Sequence, residues 1–135
     1  MKYSVHAGLW MAQWTDEITP ILKTVADLGY DGVEVSLLGM SDEKAAALGK
    51  SVREFGLEVT CSDGLSKEKD ITSEDPAIRE AGIEYLKWAI RTTSLIGSRG
   101  LAGVLYAPWG VYDPQNKEQR AAADRSARCS LFCGS

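Results

Sequence analysis

The sequence predicts an α/β fold of the parallel (β/α) barrel type, limited to about the first four β/α units. An amphipathic helix that stops at a glycine and is followed at once by a short apolar strand occurs three times. The resulting β-α-β-α-β-α-β order requires parallel strands joined by right-handed crossovers. The chain has 135 residues, whereas a complete eight-stranded barrel has roughly 250. We therefore expect a truncated barrel.

Each element has a local signal. The predicted strands are short apolar segments: residues 2–5, 32–36, 57–61 and 101–105. The predicted helices end at glycines that suit the left-handed conformation of a helix stop: Gly29, Gly56 and Gly97. Pro20, Ser41 as an N-cap, and Asp75 before Pro76 mark the helix starts. The polar stretch 62–74 exceeds the ~2–6 residues usual for such connections, which predicts a binding loop.

The character of the chain changes after Pro114. Residues 117–128 combine alanines with charges and develop no apolar face. The last residues show neither strand alternation nor a stop signal. We therefore divide the chain into residues 1–112, the N-terminal half of a barrel, and residues 113–135, a divergent or truncated tail.

Composition excludes several classes of partner. With 15 basic and 19 acidic side chains the formal net charge is −4, so nothing favours binding to nucleic acid or to an anionic membrane. No apolar run approaches the ~18 residues of a membrane span, and the N-terminus lacks the layout of a secretory signal. We expect a cytoplasmic protein. Its three cysteines match neither a zinc pattern nor a redox pair, and we interpret them as reduced structural thiols.

The loops after the carboxyl ends of the strands are where a barrel of this type binds its ligand. His6, Trp10 and Trp14 follow the first predicted strand, Ser62 follows the third, and Trp109 follows the fourth. Indole rings can wall the C–H face of a sugar while polar groups bind its hydroxyls, so the mixture fits a polyol better than a lipid. From spacing alone, however, Trp10 and Trp14 are better explained as a packed helical pair.

Two polar residues, His6 and Glu34, are candidates for the barrel mouth. His6 is the only histidine, so it cannot form a multi-histidine metal site within this chain. It is either a hydrogen-bonding group at the mouth or a satisfied structural histidine. Glu34 interrupts an otherwise apolar strand and needs a partner if it points inward, which favours a supporting hydrogen-bonding role over direct binding of a metal. The sequence contains no glycine-rich phosphate loop.

Several segments together resemble the D-tagatose/D-psicose (allulose) 3-epimerases of the xylose isomerase-like TIM barrels. The segments are Trp10 and Trp14, LGYDGVEV at 28–35, FGLEVTC at 55–61, REAGIEY at 79–85, and Ala102-Gly103 leading to Trp109. The resemblance covers residues 1 to about 112 and implies a parallel (β/α) TIM-barrel type. It also implies that five residues contact the ketose: His6, Trp14, Ser62, Gly103 and Trp109. His6 stands where relatives often have an aromatic residue.

The resemblance further implies an isomerase that epimerises C3 of a free ketose such as tagatose, psicose or fructose. In such enzymes a divalent metal (Mn, Co or Mg) is held by two glutamates, an aspartate and a histidine on strands five to eight, and the two glutamates are the acid and base. Those strands have no counterpart here. We therefore expect no catalytic residue and no metal ligand in this chain, no metal bound by the chain alone, and no activity in isolation.

Three alternatives remain open from the sequence. The first is a related barrel activity, a sugar-phosphate 3-epimerase or a hydroxypyruvate-type isomerase. The second is an apurinic endonuclease, which the net charge of −4 and the single histidine disfavour. The third is a non-catalytic half-barrel that associates with itself, as a homo-oligomer, or with another half, because open sheet edges favour pairing.

Overall fold

The computed structural model describes residues 1–13, 17–110, 115–118, 120–121 and 124. Strands and helices alternate along this part of the chain: β1 (Ser4–His6), α1 (Thr19–Asp27), β2 (Gly32–Ser36), α2 (Asp42–Glu54), β3 (Glu58–Leu65), α3 (Pro76–Ile96) and β4 (Leu101–Pro108). Two single 3₁₀ turns follow strands, at Ala7–Leu9 after β1 and at Lys67–Lys69 after β3.

The strands form one sheet in the order β1-β2-β3-β4. β1 pairs with β2 and β2 pairs with β3, both in parallel. Successive strands are therefore neighbours, with a helix in each connection, as expected for repeated β/α units. The predicted α/β fold class is confirmed.

The helix ends follow the chemistry that the sequence predicted. The Ser41 hydroxyl accepts the Lys44 N–H at 3.3 Å, and the Asp75 carboxylate accepts the Ala77 N–H at 2.8 Å. The three stop glycines have φ values of 82°, 67° and 91°, a conformation in which any other residue would be strained. α1 begins at Thr19, directly before Pro20, and its N-cap is Ile18, which makes no side-chain capping hydrogen bond.

The strand boundaries differ from the prediction at three places. β1 begins two residues later and ends one residue later than predicted, at Ser4–His6, and β4 continues to Pro108. β3 continues through Ser62 to Leu65, so the segment after Cys61 begins as strand and not as loop. The reason lies in burial, since Cys61, Asp63 and Leu65 alternate inward along the extension. A buried carboxylate conceals that alternation in the sequence.

The described residues fall into two compact units. The first consists of the described parts of Met1–Asp63 and Trp88–Ala102, and the second of the described parts of Gly64–Lys87 and Gly103–Ser135. The first unit contains the hydrophobic core, in which Leu22 and Val25 of α1 and Val33 and Val35 of β2 are almost completely buried. In this unit α2 approaches the end of α3 so closely that Gly49 has no room for a side chain. Burial of such side chains is the main source of stability.

In the second unit, the segment after β3 packs on α3. An ideal Cβ on Gly82 would lie 2.6 Å from the Lys69 carbonyl oxygen, and the Lys69 ammonium lies 3.7 Å from the centre of the Tyr85 ring. The Trp109 N–H donates to the Leu65 carbonyl at 2.8 Å.

No helix among the described residues is both long and apolar enough to cross a membrane. Most of the predicted tail 113–135 lies outside the described residues, and its divergence stays a prediction.

Candidate functional site

Strand register divides the first three strands into an apolar face and a polar face. One face carries two sets of register partners: Val5, Val33 and Val59, and Val35 with Cys61. These residues belong to the hydrophobic core or pack against it. Because side chains alternate along a strand, the intervening positions lie on the opposite face. The side chains of that polar face belong to Ser4, His6, Glu34, Ser36, Glu58, Thr60 and Ser62.

A polar face is unusual for this kind of sheet. Strands of parallel sheets are commonly buried on both faces and rich in aliphatic residues on both. Here Ser4 and Thr60 are exposed, and His6, Glu34, Ser36 and Ser62 are only partly buried. The apolar face accounts for folding, so the polar face is free to serve recognition of a hydrophilic ligand.

Three side chains meet near the carboxyl ends of β1, β2 and β3. The His6 Nε2 atom lies 3.4 Å from the Ser62 hydroxyl and 3.6 Å from Oε1 of Glu34. The side chains of His6 and Glu34 are 35% and 36% exposed, so a ligand can reach both. The sequence predicts that Glu34 needs a partner if it points inward, and in the structure its carboxylate lies beside the His6 ring.

Backbone geometry determines how the His6 ring is presented. His6 caps the 3₁₀ turn Ala7–Leu9, and its Nδ1 accepts the Gly8 N–H at 3.0 Å. A nitrogen that accepts a hydrogen bond from an amide carries no proton of its own. The neutral ring therefore has its proton on Nε2 and presents a donor toward Ser62 and Glu34.

The five sequence-predicted contact residues have different outcomes. The structure brings His6 and Ser62 together in the first unit. In the second unit, Gly103 is an exposed residue of β4 with φ 121°, and Trp109 follows β4 with 73% of its surface exposed. Trp14 lies outside the described residues. The roles of all five in binding a sugar stay predictions.

The sequence analysis missed Ser36 and Thr60. Ser36 is the register partner of Ser62, and Thr60 is the register partner of Glu34, so both belong to the same polar face. The alternation of polar and apolar residues along 32–36 and 58–62 was the signal that could have found them.

The polar face does not form a metal site. Among the described residues, no group of three histidine, cysteine, aspartate or glutamate side chains is placed to hold a metal ion. Cys61 is completely buried, and burial raises the pKa of its thiol, so it is neither a thiolate ligand nor a nucleophile at neutral pH. The described groups do not fit a divalent metal, and their chemistry is that of hydrogen bonding.

Comparison with known proteins identifies relatives. A family model described as xylose isomerase-like TIM barrel matches residues 22–130. D-psicose 3-epimerase of Agrobacterium fabrum is 29% identical over 114 residues, which are 82% of this chain and 39% of that protein. L-ribulose 3-epimerase of Methylomonas sp. is 33% identical over 123 residues, 90% of this chain and 43% of that protein.

Solved structures agree with these relatives. The crystal structure of a D-psicose 3-epimerase in the presence of D-fructose superposes with a TM-score of 0.82 at 27% identity, covering 96% of this chain and 47% of that one. The chain thus spans less than half the length of the relatives it matches. The resemblance to ketose 3-epimerases that the sequence predicted is confirmed. The chain belongs to the xylose isomerase-like TIM barrel family.

Proposed function

We propose that this chain is a ketose 3-epimerase-like fragment whose polar sheet face contacts a free ketose. The observation that carries the proposal is the polar face of β1, β2 and β3, where His6, Glu34 and Ser62 converge. A sugar presents many hydroxyls, each of which donates and accepts, and this face offers donors and acceptors within a few ångströms of one another. Relatives named for ketoses support the choice of ligand.

The contribution of this chain is recognition. The Nε2–H of His6 and the hydroxyls of Ser62 and Ser36 would bind and orient the sugar. The family resemblance implies further contacts with the ketose at Trp14, Gly103 and Trp109, and these roles are carried forward as predictions from the sequence.

The acid–base pair and a divalent metal (Mn, Co or Mg) belong to the proposal only for the whole protein. The described residues form no site for such an ion. We propose that the 135-residue chain by itself does not epimerise ketoses. A cytoplasmic location and association into a homo-oligomer are also carried forward as predictions from the sequence.

The proposal is tested by binding and by activity, measured separately. We expect D-psicose and D-fructose to perturb the backbone amide signals of β1, β2 and β3 in ¹H–¹⁵N spectra of the purified chain. Ser62→Ala should weaken this binding about tenfold, the typical effect of losing one or two hydrogen bonds. Ser94→Ala, a matched change on the exposed surface of α3, should leave the binding unchanged.

Two results would contradict the proposal in different ways. Perturbations confined to residues outside the polar face would refute the binding site. Conversion of D-fructose to D-psicose by the purified chain with added Mn²⁺, Co²⁺ or Mg²⁺ would refute the absence of activity. A stronger response to D-fructose 6-phosphate than to D-fructose would indicate a sugar-phosphate enzyme instead.

A further inference from the structure

We propose that Glu34 is a positioning and specificity-determining residue, which together with His6 holds one ligand hydroxyl between its Oε1 atom and the His6 Nε2 atom. The inference rests on the proposed function, because the hydroxyl is one of the ketose. It assigns to Glu34 a contact that neither the family match nor the names of the relatives describe.

The His6 ring is already oriented before any ligand binds. The Gly8 N–H donates to Nδ1 at 3.0 Å, so Nε2 is the ring nitrogen that faces Ser62 and Glu34. A fixed ring with one outward donor loses little rotational freedom on binding. The donor direction is therefore built into the turn that follows β1.

The carboxylate of Glu34 supplies the complementary acceptor. At 3.6 Å the Nε2 and Oε1 atoms are too far apart for a good direct hydrogen bond. The same separation suits a shared partner, because one hydroxyl oxygen can lie about 2.8 Å from both atoms. That hydroxyl would accept a hydrogen bond from Nε2–H and donate a hydrogen bond to the carboxylate.

This arrangement selects for a hydroxyl group. A carbonyl oxygen could accept from His6 but would repel the Glu34 carboxylate, and a C–H group could do neither. Sites built to bind a hydroxyl discriminate strongly against analogues that lack it, since the polar groups of the site are then left unpaired. Ser62, at 3.4 Å from Nε2, steadies the ring when no hydroxyl is bound.

Glu34 lies at the register position beside His6, so the proposed bridge depends on the length of the Glu34 side chain as well as on its charge. β1 and β2 pair His6 with Glu34 directly across the sheet. Glu34→Asp would keep the charge but shorten the reach by one methylene group. A purely electrostatic effect of the polar face would survive this change, whereas the hydroxyl bridge would not.

The single histidine of the chain makes the test direct. In ¹⁵N-labelled protein, one pair of imidazole signals reports on His6 without ambiguity of assignment. In the ligand-free chain we expect the Nε2-protonated tautomer with Nδ1 as acceptor. Addition of D-psicose should shift the Nε2 signal in the unchanged chain.

Glu34→Gln should weaken D-psicose binding about tenfold, because an amide replaces a charged acceptor. It should also abolish the sugar-induced shift of the Nε2 signal. Glu34→Asp should not restore either one. Glu54→Gln is the matched control, since Glu54 is an exposed residue of α2, away from the polar face, and pairs with Lys50. It should bind D-psicose as the unchanged chain does.

The outcomes separate the two proposals. Two results would overturn the role of Glu34 but leave the proposed function standing. One is a Nδ1-protonated tautomer of His6. The other is unchanged D-psicose affinity in the Glu34→Gln variant while the sugar still perturbs β1, β2 and β3. No perturbation at any sugar concentration would overturn both. If the Glu34→Asp variant bound D-psicose as the unchanged chain does, the hydroxyl bridge would be wrong and a general effect of the negative charge would explain the binding.

Discussion

Replacing Gly49 by alanine tests the closest approach in the first unit. An ideal Cβ at this position would lie 2.5 Å from the carbonyl oxygen of Ile96, at the end of α3, and ordinary contact begins near 3.4 Å. The two helices would have to separate by about 0.9 Å. The contacting atoms are backbone, so no side chain can swing away.

The sign of the effect follows from two opposing magnitudes. Alanine in a helix interior is favoured over glycine by about 1 kcal/mol. Overpacking in a close contact costs about 1–3 kcal/mol, and an immovable backbone partner places this site in the upper part of that range. We therefore expect Gly49→Ala to lower the free energy of unfolding by about 1–2 kcal/mol.

Urea unfolding followed by circular dichroism would measure this change. Ala46→Gly, an exposed position of the same helix, is the control, and it should lose about 1 kcal/mol from helix propensity alone. If Gly49→Ala stabilised the chain by the amount that Ala46→Gly destabilises it, propensity would dominate and the close packing of α2 on α3 would be wrong.

Two further predictions concern a buried thiol and the segment after β3. Because burial raises the pKa of Cys61, its contribution to stability is complete below the unfolded value near pH 8.5 and is lost as pH rises through the folded value. The free energy of unfolding of the unchanged chain, measured relative to that of the Cys61→Ala variant, should therefore fall above about pH 8.5 by up to ~1.4 kcal/mol per pH unit. If the free energies of the two proteins changed with pH in parallel, this prediction would be wrong. Gly82→Ala should drive the Lys69 carbonyl, 2.6 Å from the new Cβ, away from α3. Amide exchange of residues 66–72 should then accelerate, whereas exchange in the exposed Ala81→Gly control should not, and unchanged exchange in Gly82→Ala would refute the packing.

Helix boundaries were the most predictable part of the fold. Ser41 and Asp75 cap α2 and α3, and the stop glycines have positive φ, because capping and left-handed conformations depend on residues a few positions apart. Strand ends were less predictable. Asp63 is buried within β3, and a buried carboxylate is indistinguishable in sequence from the polar start of a loop.

The candidate site was predictable only in part. His6 and Ser62 were identified through the family resemblance, and Glu34 through the cost of burying a carboxylate on a strand. That these three side chains meet could not be deduced, because they are separated by up to 56 positions and their proximity depends on register. Ser36 and Thr60 join the same face for the same reason.

Periodicity, caps and glycine stops act over one or two turns of chain, so the amino-acid sequence alone predicted the alternation of strands and helices, and its motifs indicated the family. The polarity of one sheet face, and the position of the His6 Nε2 atom beside Glu34 and Ser62, became apparent only in the folded structure. Those properties arise from strand register and from the turn at Gly8, which place distant residues within a few ångströms of each other.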